Sequence, residues 1–387
     1  MFRFLYIIIC VAALSACNDE SYLNDLENDE DTIPKPVFID ITYYGETAEV
    51  SIPSTAVGVS CTSGTSSDVV LALDSAILTE YIYRVKGTSA SGSLTINSNY
   101  KLTMLLAGVN LTSTAVTPAM HINCGKRVSV ILQEGTENSF TDNASNDKKG
   151  AFYTKGHLEI EGGGTLNVTG KARHALCSKE YMQLKKSTGT INIVGSAGDG
   201  IHCGKGDQDP ANNYFRMSGG TLNFSGIKGD LIDCDDYGNA YINGGTLNLT
   251  VDLGAGKGLK ADSIVVISGG TVNLSVEGAS AIGIQSNWHT YLTGGEIKGL
   301  VSGYDAIGVK GNNSKSSLTV LNGGNVYIEG GTVNLQVSGT SCDGIYSEAD
   351  LTATGGQVTF SGPAANSPGY KAKGTMTGTE YFTWISE

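Results

Sequence analysis

The sequence has little proline, few aromatic side chains and no lasting helical pattern. Seven of its 387 residues are proline and 7% are aromatic, whereas glycine occurs 52 times. Proline cannot donate a hydrogen bond to a β-ladder, so its scarcity suits a chain whose N–H groups are needed in sheets. With so few aromatic rings, the core must be built from stacked aliphatic side chains. These shortages favour a β-rich fold.

Basic residues and metal-binding cysteine pairs are also scarce. The formal net charge is −13, which argues against nucleic acid as a partner because phosphate contacts need lysine and arginine. Of the eight cysteines, Cys10 and Cys17 belong to the predicted export segment, and the other six show no CxxC spacing. This distribution argues against a zinc site.

A repeat of 25 residues, opened by a pair of glycines, dominates the second half of the chain. Counted from the residue after the glycines, copies begin at 165, 190, 221, 246, 271, 296, 332 and 357. The steps are therefore 25, 31, 25, 25, 25, 36 and 25 residues, and the two longer ones are one period plus an insertion of 6 or 11. A fixed period with insertions confined to certain turns is typical of a solenoid.

Each period holds three short runs with the character of strands. In residues 246–251 the apolar side chains fall on every second position, which is the period of a strand. A second run covers residues 259–262 and a third covers 263–267, with glycines at the corners. Three strands per 25-residue turn predict an all-β fold, a right-handed parallel β-helix.

The chain divides into five predicted segments. Residues 1–16 resemble a secretory signal peptide, and 17–36 form an acidic tether. Residues 37–107 are expected to form a β-rich N-terminal cap with the first irregular coils, 108–362 the parallel β-helix, and 363–387 a C-terminal cap.

The end of the signal segment predicts where the protein resides. The run Leu14-Ser15-Ala16-Cys17 resembles a bacterial lipobox, so Cys17 is the predicted lipidation site. We therefore expect an exported lipoprotein of the outer membrane or cell surface, in contact with the membrane through its lipid anchor only. Ordinary signal-peptide cleavage is the alternative.

Residues one period apart are expected to stack in columns. One outward column consists of asparagines, including Asn223 and Asn248, and we interpret it as a solubilising amide ladder. A surface that hydrogen-bonds a polysaccharide is the alternative interpretation. Tyr214, Tyr237 and Trp288 are candidate platforms for sugar rings because each combines an apolar face with a polar rim.

Acidic residues concentrate on two adjacent turns. The predicted cluster comprises Asp199, Asp230, Asp233, Asp235 and Asp236 from the turns themselves, with Asp207 and Asp209 from the six-residue insertion. Carboxylates this close repel one another unless a cation or a proton lies among them. Several carboxylates on a flexible loop favour Ca²⁺, and a solvated acidic turn is the alternative.

Two inward cysteines stand on the same turns. Cys203 and Cys234 are expected one rung apart, where they could form a disulfide or pack as two buried thiols.

The chain resembles a bacterial family of extracellular calcium-binding parallel β-helix proteins described as carbohydrate-binding. The resemblance covers residues 69–361. It rests on the segment 132–138 with Asp142 after it, on the Ser-Gly-Gly-Thr repeat type at 218–221, and on Asp-Gly-Ile at 199–201 and 343–345. It implies a fold similar to that of polysaccharide lyases and association with cellulose and polygalacturonate. This chain has Lys257, Ile282 and Ile307 where the family pattern places further Asp-Gly-Ile rungs, so the implied calcium pattern does not extend to the later coils.

Three functions follow as hypotheses. The first is noncovalent, Ca²⁺-dependent binding of an acidic or plant-type polysaccharide. The second is a pectate-type lyase in which Lys257 or Lys260 is the base and Ca²⁺ neutralises the uronate carboxylate. For either lysine, a solvated ammonium paired with Asp235 or Asp262 is the alternative. The third is an adhesin or structural rod.

Overall fold

The computed structural model describes residues 36–63, 66–204, 209, 211–252, 256–303, 305–309, 324–339, 342–366 and 368–387. The predicted signal peptide, Cys17 and the tether up to residue 35 lie outside the described residues. Within the described part of the chain, no helix is both long enough and apolar enough to span a bilayer.

Strands make up nearly all of the regular structure that is described. In chain order they are β1 (Phe38–Tyr44), β2 (Thr47–Ser51), β3 (Val59–Cys61), β4 (Asp68–Leu73), β5 (Ile82–Ser89), β6 (Ser93–Asn97), β7 (Leu102–Thr112), β8 (Met120–Asn123), β9 (Val128–Leu132), β10 (Glu137–Thr141), β11 (Gly150–Thr154), β12 (Leu158–Glu161), β13 (Thr165–Gly170), β14 (His174–Ser178), β15 (Met182–Leu184), β16 (Thr190–Ser196), β17 (Ile201–Cys203), β18 (Tyr214–Met217), β19 (Thr221–Phe224), β20 (Ile232–Cys234), β21 (Asn239–Val251), β22 (Lys257–Ala261), β23 (Val265–Val276), β24 (Ile282–Ser286), β25 (His289–Val301), β26 (Asp305–Val309), β27 (Asn325–Val337), β28 (Asp343–Ser347), β29 (Leu351–Ala353), β30 (Gln357–Gly362), β31 (Tyr370–Ala372), β32 (Met376–Thr377) and β33 (Phe382–Ser386). Two single-turn 3₁₀-helices cover Ala364–Asn366 and Thr379–Tyr381.

The strands form two long sheets that coil around one core. Sheet B takes one strand from each turn, in the order β3-β4-β6-β8-β11-β14-β17-β20-β22-β24-β26-β28-β31. From β4 onwards its neighbours are parallel. Sheet A holds the remaining strands of each turn. The described residues thus build about twelve turns, and the predicted all-β parallel β-helix is confirmed.

Glycine pairs bend the long strands of sheet A. Strands β21, β23, β25 and β27 run continuously across the pair, and the register shifts there. Gly270 has φ +77°, and a Cβ on it would lie 2.7 Å from the backbone of the preceding turn. Only glycine adopts this conformation without strain in so close a contact. The sequence predicted separate strands on the two sides of the pair, whereas the structure joins them into one bent strand.

The core is a set of aliphatic columns that run along the helix axis. One column lies in register from turn to turn and is at most 2% exposed: Leu166, Ile191, Leu222, Leu247, Val272, Ile297, Val333 and Val358. Burial of each such side chain contributes about 1.5–3 kcal/mol. These columns hold both sheets on a common axis.

Both ends of the described chain continue the coil. The first parallel pairs are β1–β5 and β4–β6, next to the antiparallel β2 and β3. Strand β7 runs across residue 107, where we predicted the cap to end. At the other end, β31, β32 and β33 pair in parallel with β28, β29 and β30. The two caps and the domain boundaries stay predictions.

Substitution of a corner glycine tests the role of the glycine pairs. We expect Gly270→Ala to lower the free energy of unfolding by about 1–3 kcal/mol, because alanine is strained at this φ. Gly125→Ala is the matched control, since a Cβ on Gly125 meets nothing within 4 Å. Denaturant unfolding curves measure both, and an equal effect of the two substitutions would contradict the explanation.

Candidate functional site

Two neighbouring columns of polar side chains project from sheet B away from the core. Strand pairing aligns Cys177, His202, Asp233 and Lys260 in one of them. The other contains His174, Asp199, Asp230 and Lys257, and the backbone N–H of each of the last three donates to the side chain one turn earlier. These hydrogen bonds are Asp199 N to His174 Nδ1 at 3.0 Å, Asp230 N to Asp199 Oδ1 at 2.9 Å and Lys257 N to Asp230 Oδ1 at 2.8 Å.

The coil brings three of the predicted calcium ligands together. Carboxylate oxygens of Asp199, Asp230 and Asp233 lie within 4.8 Å of one another, and a second such group joins Asp199 to His174 and His202. We call these five residues and Lys260 the charge cluster. Stacking of residues one turn apart therefore produces the expected convergence of aspartates.

Two cationic side chains of the chain itself occupy the charge cluster. Lys260 Nζ lies 2.8 Å from Asp233 Oδ1 and 3.8 Å from Asp230 Oδ2. His202 Nδ1 lies 3.2 Å from Asp199 Oδ2 and 3.7 Å from Asp233 Oδ2. Because an opposite charge at this distance favours the ionised carboxylate, the repulsion among the aspartates is partly compensated from within.

The pKa values in the cluster reflect this pairing. Burial by itself lowers the pKa of His202, but Asp199 and Asp233 outweigh burial and raise it to about 9. Burial raises the pKa of Asp230 to about 6, with a further contribution from the Asp233 charge. Burial opposes the charge of Lys260, yet Asp233 and Asp230 hold its pKa above the ordinary value. The ammonium of Lys260 is therefore a stable cation, which is the opposite of what a catalytic base requires.

His174 differs from His202, although the two rings stack with centroids 4.3 Å apart. Its Nδ1 lies 3.0 Å from the backbone N of Asp199 and 3.2 Å from Asp199 Oδ2. Burial is the largest influence on its pKa and lowers it. The pair therefore combines one neutral and one protonated imidazole.

The other described calcium-ligand candidates are not part of the charge cluster. Asp235 follows β20 and is hydrogen-bonded to Asp262, whose pKa is raised to about 6 by burial with a contribution from the Asp235 charge. Asp236 has φ 53°, and its carbonyl accepts a hydrogen bond from Asn213 at 2.6 Å. Asp209 is exposed and its carboxylate accepts the N–H of Ala211. Asp207 lies outside the described residues.

The cysteines on these turns are free thiols in the structure. Cys203 and Cys234 are paired in register, fully buried, and their sulfur atoms are 3.5 Å apart. They fill the core beneath the charge cluster as stacked thiols.

A second candidate site is a line of five tyrosines and one arginine on the outer face of sheet A. We call it the aromatic row, and it comprises Tyr181, Tyr214, Arg216, Tyr241, Tyr291 and Tyr327. Tyr181 stacks on Tyr214 with centroids 4.9 Å apart, and Tyr291 on Tyr327 at 5.0 Å. The guanidinium of Arg216 lies 4.7 Å from the ring centroid of Tyr214 and 5.0 Å from that of Tyr241. Apart from the buried Tyr214, the members are partly exposed.

Sequence reasoning found only Tyr214 of this row, although a regular signal was present. Arg216, Tyr241, Tyr291 and Tyr327 each stand three residues before a glycine pair. Strand pairing places them in one column, with Val266 between Tyr241 and Tyr291. A search of that repeat position would have identified the row.

The other predicted sugar-binding residues are separate from the row. Asn223 and Asn248 belong to an amide ladder from Asn167 to Asn273, in which each Nδ2 donates to the preceding Oδ1 at 2.7–2.8 Å. Trp288 directly precedes β25, and its indole Nε1 is buried without a hydrogen-bond partner among the described residues. Tyr237 lies in the turn after β20 with φ 65°.

Comparison with known proteins gives two matches. The model of a family described as carbohydrate-binding domain-containing protein matches residues 74–366. Among solved structures, a polysaccharide lyase-like protein from C. thermocellum, in a gadolinium derivative, aligns over 90% of this chain and 100% of its own, with 16% identity and a TM-score of 0.36. A structural likeness this distant says nothing about function. No curated protein matches the sequence.

The raised pKa of His202 predicts how stability depends on pH. Its contribution is complete below the unfolded-state pKa of about 6.5 and is lost as pH rises through about 9. We expect the free energy of unfolding to fall by roughly 3 kcal/mol across this window, and the fall to disappear in His202→Gln. Denaturant titrations between pH 6.5 and 9 measure this. His289→Gln is the control, since burial lowers the pKa of His289, and equal slopes for His202→Gln and the unmodified protein would refute the assignment.

Proposed function

This chain belongs to the family of carbohydrate-binding domain-containing proteins, and from that premise we propose that it binds a polysaccharide noncovalently along the aromatic row. The observation that carries the proposal is a set of partly exposed tyrosines on the outer face of sheet A, namely Tyr181, Tyr241, Tyr291 and Tyr327. Aromatic faces pack against the C–H faces of sugar rings, while the phenol hydroxyls at their rims can hydrogen-bond sugar hydroxyls.

The other two outward surfaces are less suited to this ligand. The carboxylates of the charge cluster are paired with Lys260 and His202. His202 and Asp233 are only 5% and 7% exposed, and the Nε2 atoms of His174 and His202 are buried without a described partner. The amides of the ladder are hydrogen-bonded from turn to turn, which supports the interpretation that they are structural. The aromatic row combines partial exposure with apolar faces.

The row suits an extended chain. Tyr241, Val266, Tyr291 and Tyr327 occupy four successive turns, which are spaced by about 4.8 Å in a parallel sheet. A polysaccharide lying along the helix axis can contact several tyrosines at once. Binding at linked contacts is then strengthened by effective concentration, so affinity should increase with the length of the oligosaccharide.

Export and lipidation form a further part of the proposal. The lipobox-like Leu14-Ser15-Ala16-Cys17 supports attachment of the protein through Cys17 to the outer membrane or cell surface. An anchored rod would hold extracellular polysaccharide close to the cell. Lipid labelling of the unmodified chain and of Cys17→Ala tests this, and labelling of the variant would contradict it.

A lyase activity through Lys260 receives no support. A base that removes the proton next to a uronate carboxylate needs a lowered pKa, and that of Lys260 is raised. Lys257 as the base of a lyase stays a prediction, and so does the hypothesis of an adhesin or structural rod.

We also propose that the folded protein binds Ca²⁺ at the charge cluster, which the convergence of Asp199, Asp230 and Asp233 supports. An ion there would compete with Lys260 for the same carboxylates. We expect Ca²⁺ to raise the melting temperature of the protein, as any ligand of the folded state does, and Asp199→Asn to remove the increase. Asp209→Asn is the control, because Asp209 is not part of the charge cluster. No change in melting temperature with Ca²⁺ would eliminate the ion.

Truncation of one tyrosine tests the proposed binding face. We expect Tyr241→Ala to weaken binding to a polysaccharide by about tenfold, since central aromatic contacts dominate such interfaces. Affinity electrophoresis against a panel of neutral and acidic polysaccharides measures the effect. Tyr44→Ala is the matched control, because Tyr44 is 62% exposed but lies near the other end of the rod. Equal retardation of the two variants would show that the row is not the binding face.

A further inference from the structure

Arg216 is a cation without an anionic partner in the described structure. Other arginines on this face of the coil are paired, Arg84 with Asp40 at 2.6 Å and Arg127 with Glu80 at 2.8 Å. Arg216 makes no ion pair with any described acidic side chain, and its Nε is buried without a hydrogen-bond partner among them. Its guanidinium lies over the rings of Tyr214 and Tyr241.

The carboxylate in the same column is engaged elsewhere. Glu159 lies two turns before Arg216, with Gln183 between them. Its oxygens accept hydrogen bonds from Lys185 Nζ at 2.9 Å and from the Tyr181 hydroxyl at 2.7 Å. The charge of Arg216 is therefore not neutralised by its own column.

An arginine in this setting is suited to an anion supplied from outside. The planar guanidinium presents several N–H donors in a fork that matches a carboxylate or a sulfate with two parallel hydrogen bonds. The tyrosine rings hold the guanidinium in place by cation–π contact. The buried Nε has no described hydrogen-bond partner, so the cost of burying it is not offset within the described structure.

We propose that Arg216 is the residue of the aromatic row that selects acidic polysaccharides, by binding an anionic substituent of a sugar ring that packs on Tyr241. This inference rests on the proposed function of the row. The anionic group is a uronate carboxylate or a sulfate ester. Recognition through Arg216 needs no metal ion, so this selectivity persists when calcium is chelated.

Binding measurements in EDTA with the full-length protein test the proposal. The probes are polygalacturonate, the same polymer with its carboxyl groups methyl-esterified, a sulfated glucan and an unmodified neutral glucan. We expect Arg216→Gln to weaken binding to an acidic probe by about tenfold, within the range of one charge-assisted pair, and to leave binding to the neutral glucan unchanged. Loss on polygalacturonate but not on its ester identifies the carboxylate, and loss on the sulfated glucan identifies the sulfate.

Two further variants show whether an effect comes from the position of the arginine and from the shape of its guanidinium. Arg84→Gln is the matched control, because Arg84 also lies over an aromatic ring, that of Phe38 at 4.7 Å, but has Asp40 as its partner. It should bind every probe as the unmodified protein does. Arg216→Lys keeps the charge and loses the fork, and we expect intermediate affinity for the acidic probe. Melting curves of each variant exclude a change in folding as the cause.

The outcomes distinguish this inference from the proposed function. Unchanged binding of Arg216→Gln to acidic probes would overturn the role of Arg216. Equal affinity of the unmodified protein for acidic and neutral probes would also overturn it and leave polysaccharide binding intact. Failure of the unmodified protein to bind any probe would remove the proposed function and this inference together.

Discussion

Parallel hydrogen bonding between strands one turn apart is the constraint on which the other features depend. It brings residues about 25 positions apart in the sequence side by side, so a repeated residue type becomes a column. Aliphatic columns provide the core, and glycine pairs provide the corners at which the strands of sheet A bend. Insertions leave the register intact, since Asn192 and Asn223 are 31 residues apart and still pair directly.

The same constraint gives the faces of the rod different chemistry. On sheet B, two columns that each contain acidic and basic residues lie side by side, and Lys260 and His202 pair with the aspartates. On sheet A, the column three residues before the glycine pairs brings tyrosines to a partly exposed surface, with Arg216 among them. Because its acidic and basic side chains pair with one another, the charge cluster is better suited to a structural role. Partial exposure, and a cation without an acidic partner among the described residues, favour ligand binding by the aromatic row.

Much of this could be predicted from the repeat alone. The period identified the β-helix, the inward column through Leu222, the amide ladder and the convergence of Asp199 with Asp230. His202 was missed because only the aspartates of these turns were compared, although it occupies the same register position as Asp233. Lys260 was expected to pair with Asp235 or Asp262, whereas its ion pairs in the structure are with Asp233 and Asp230. The burial and the pKa values of these side chains depend on contacts between two neighbouring columns. The repeat period shows which residues share a column but not which columns touch. The side-chain network could therefore not be derived before the fold was known.

A cross-link between adjacent turns tests the central claim about register most directly. Cysteines introduced as Asn192→Cys and Asn223→Cys should form a disulfide under mild oxidation, because neighbouring strands place their Cα atoms within the range that a disulfide spans. Asn192→Cys combined with Asn248→Cys is the control, since these positions are two turns apart. Peptide mass mapping after oxidation should identify the first cross-link and not the second. The second cross-link without the first would contradict the register on which the proposed surfaces depend.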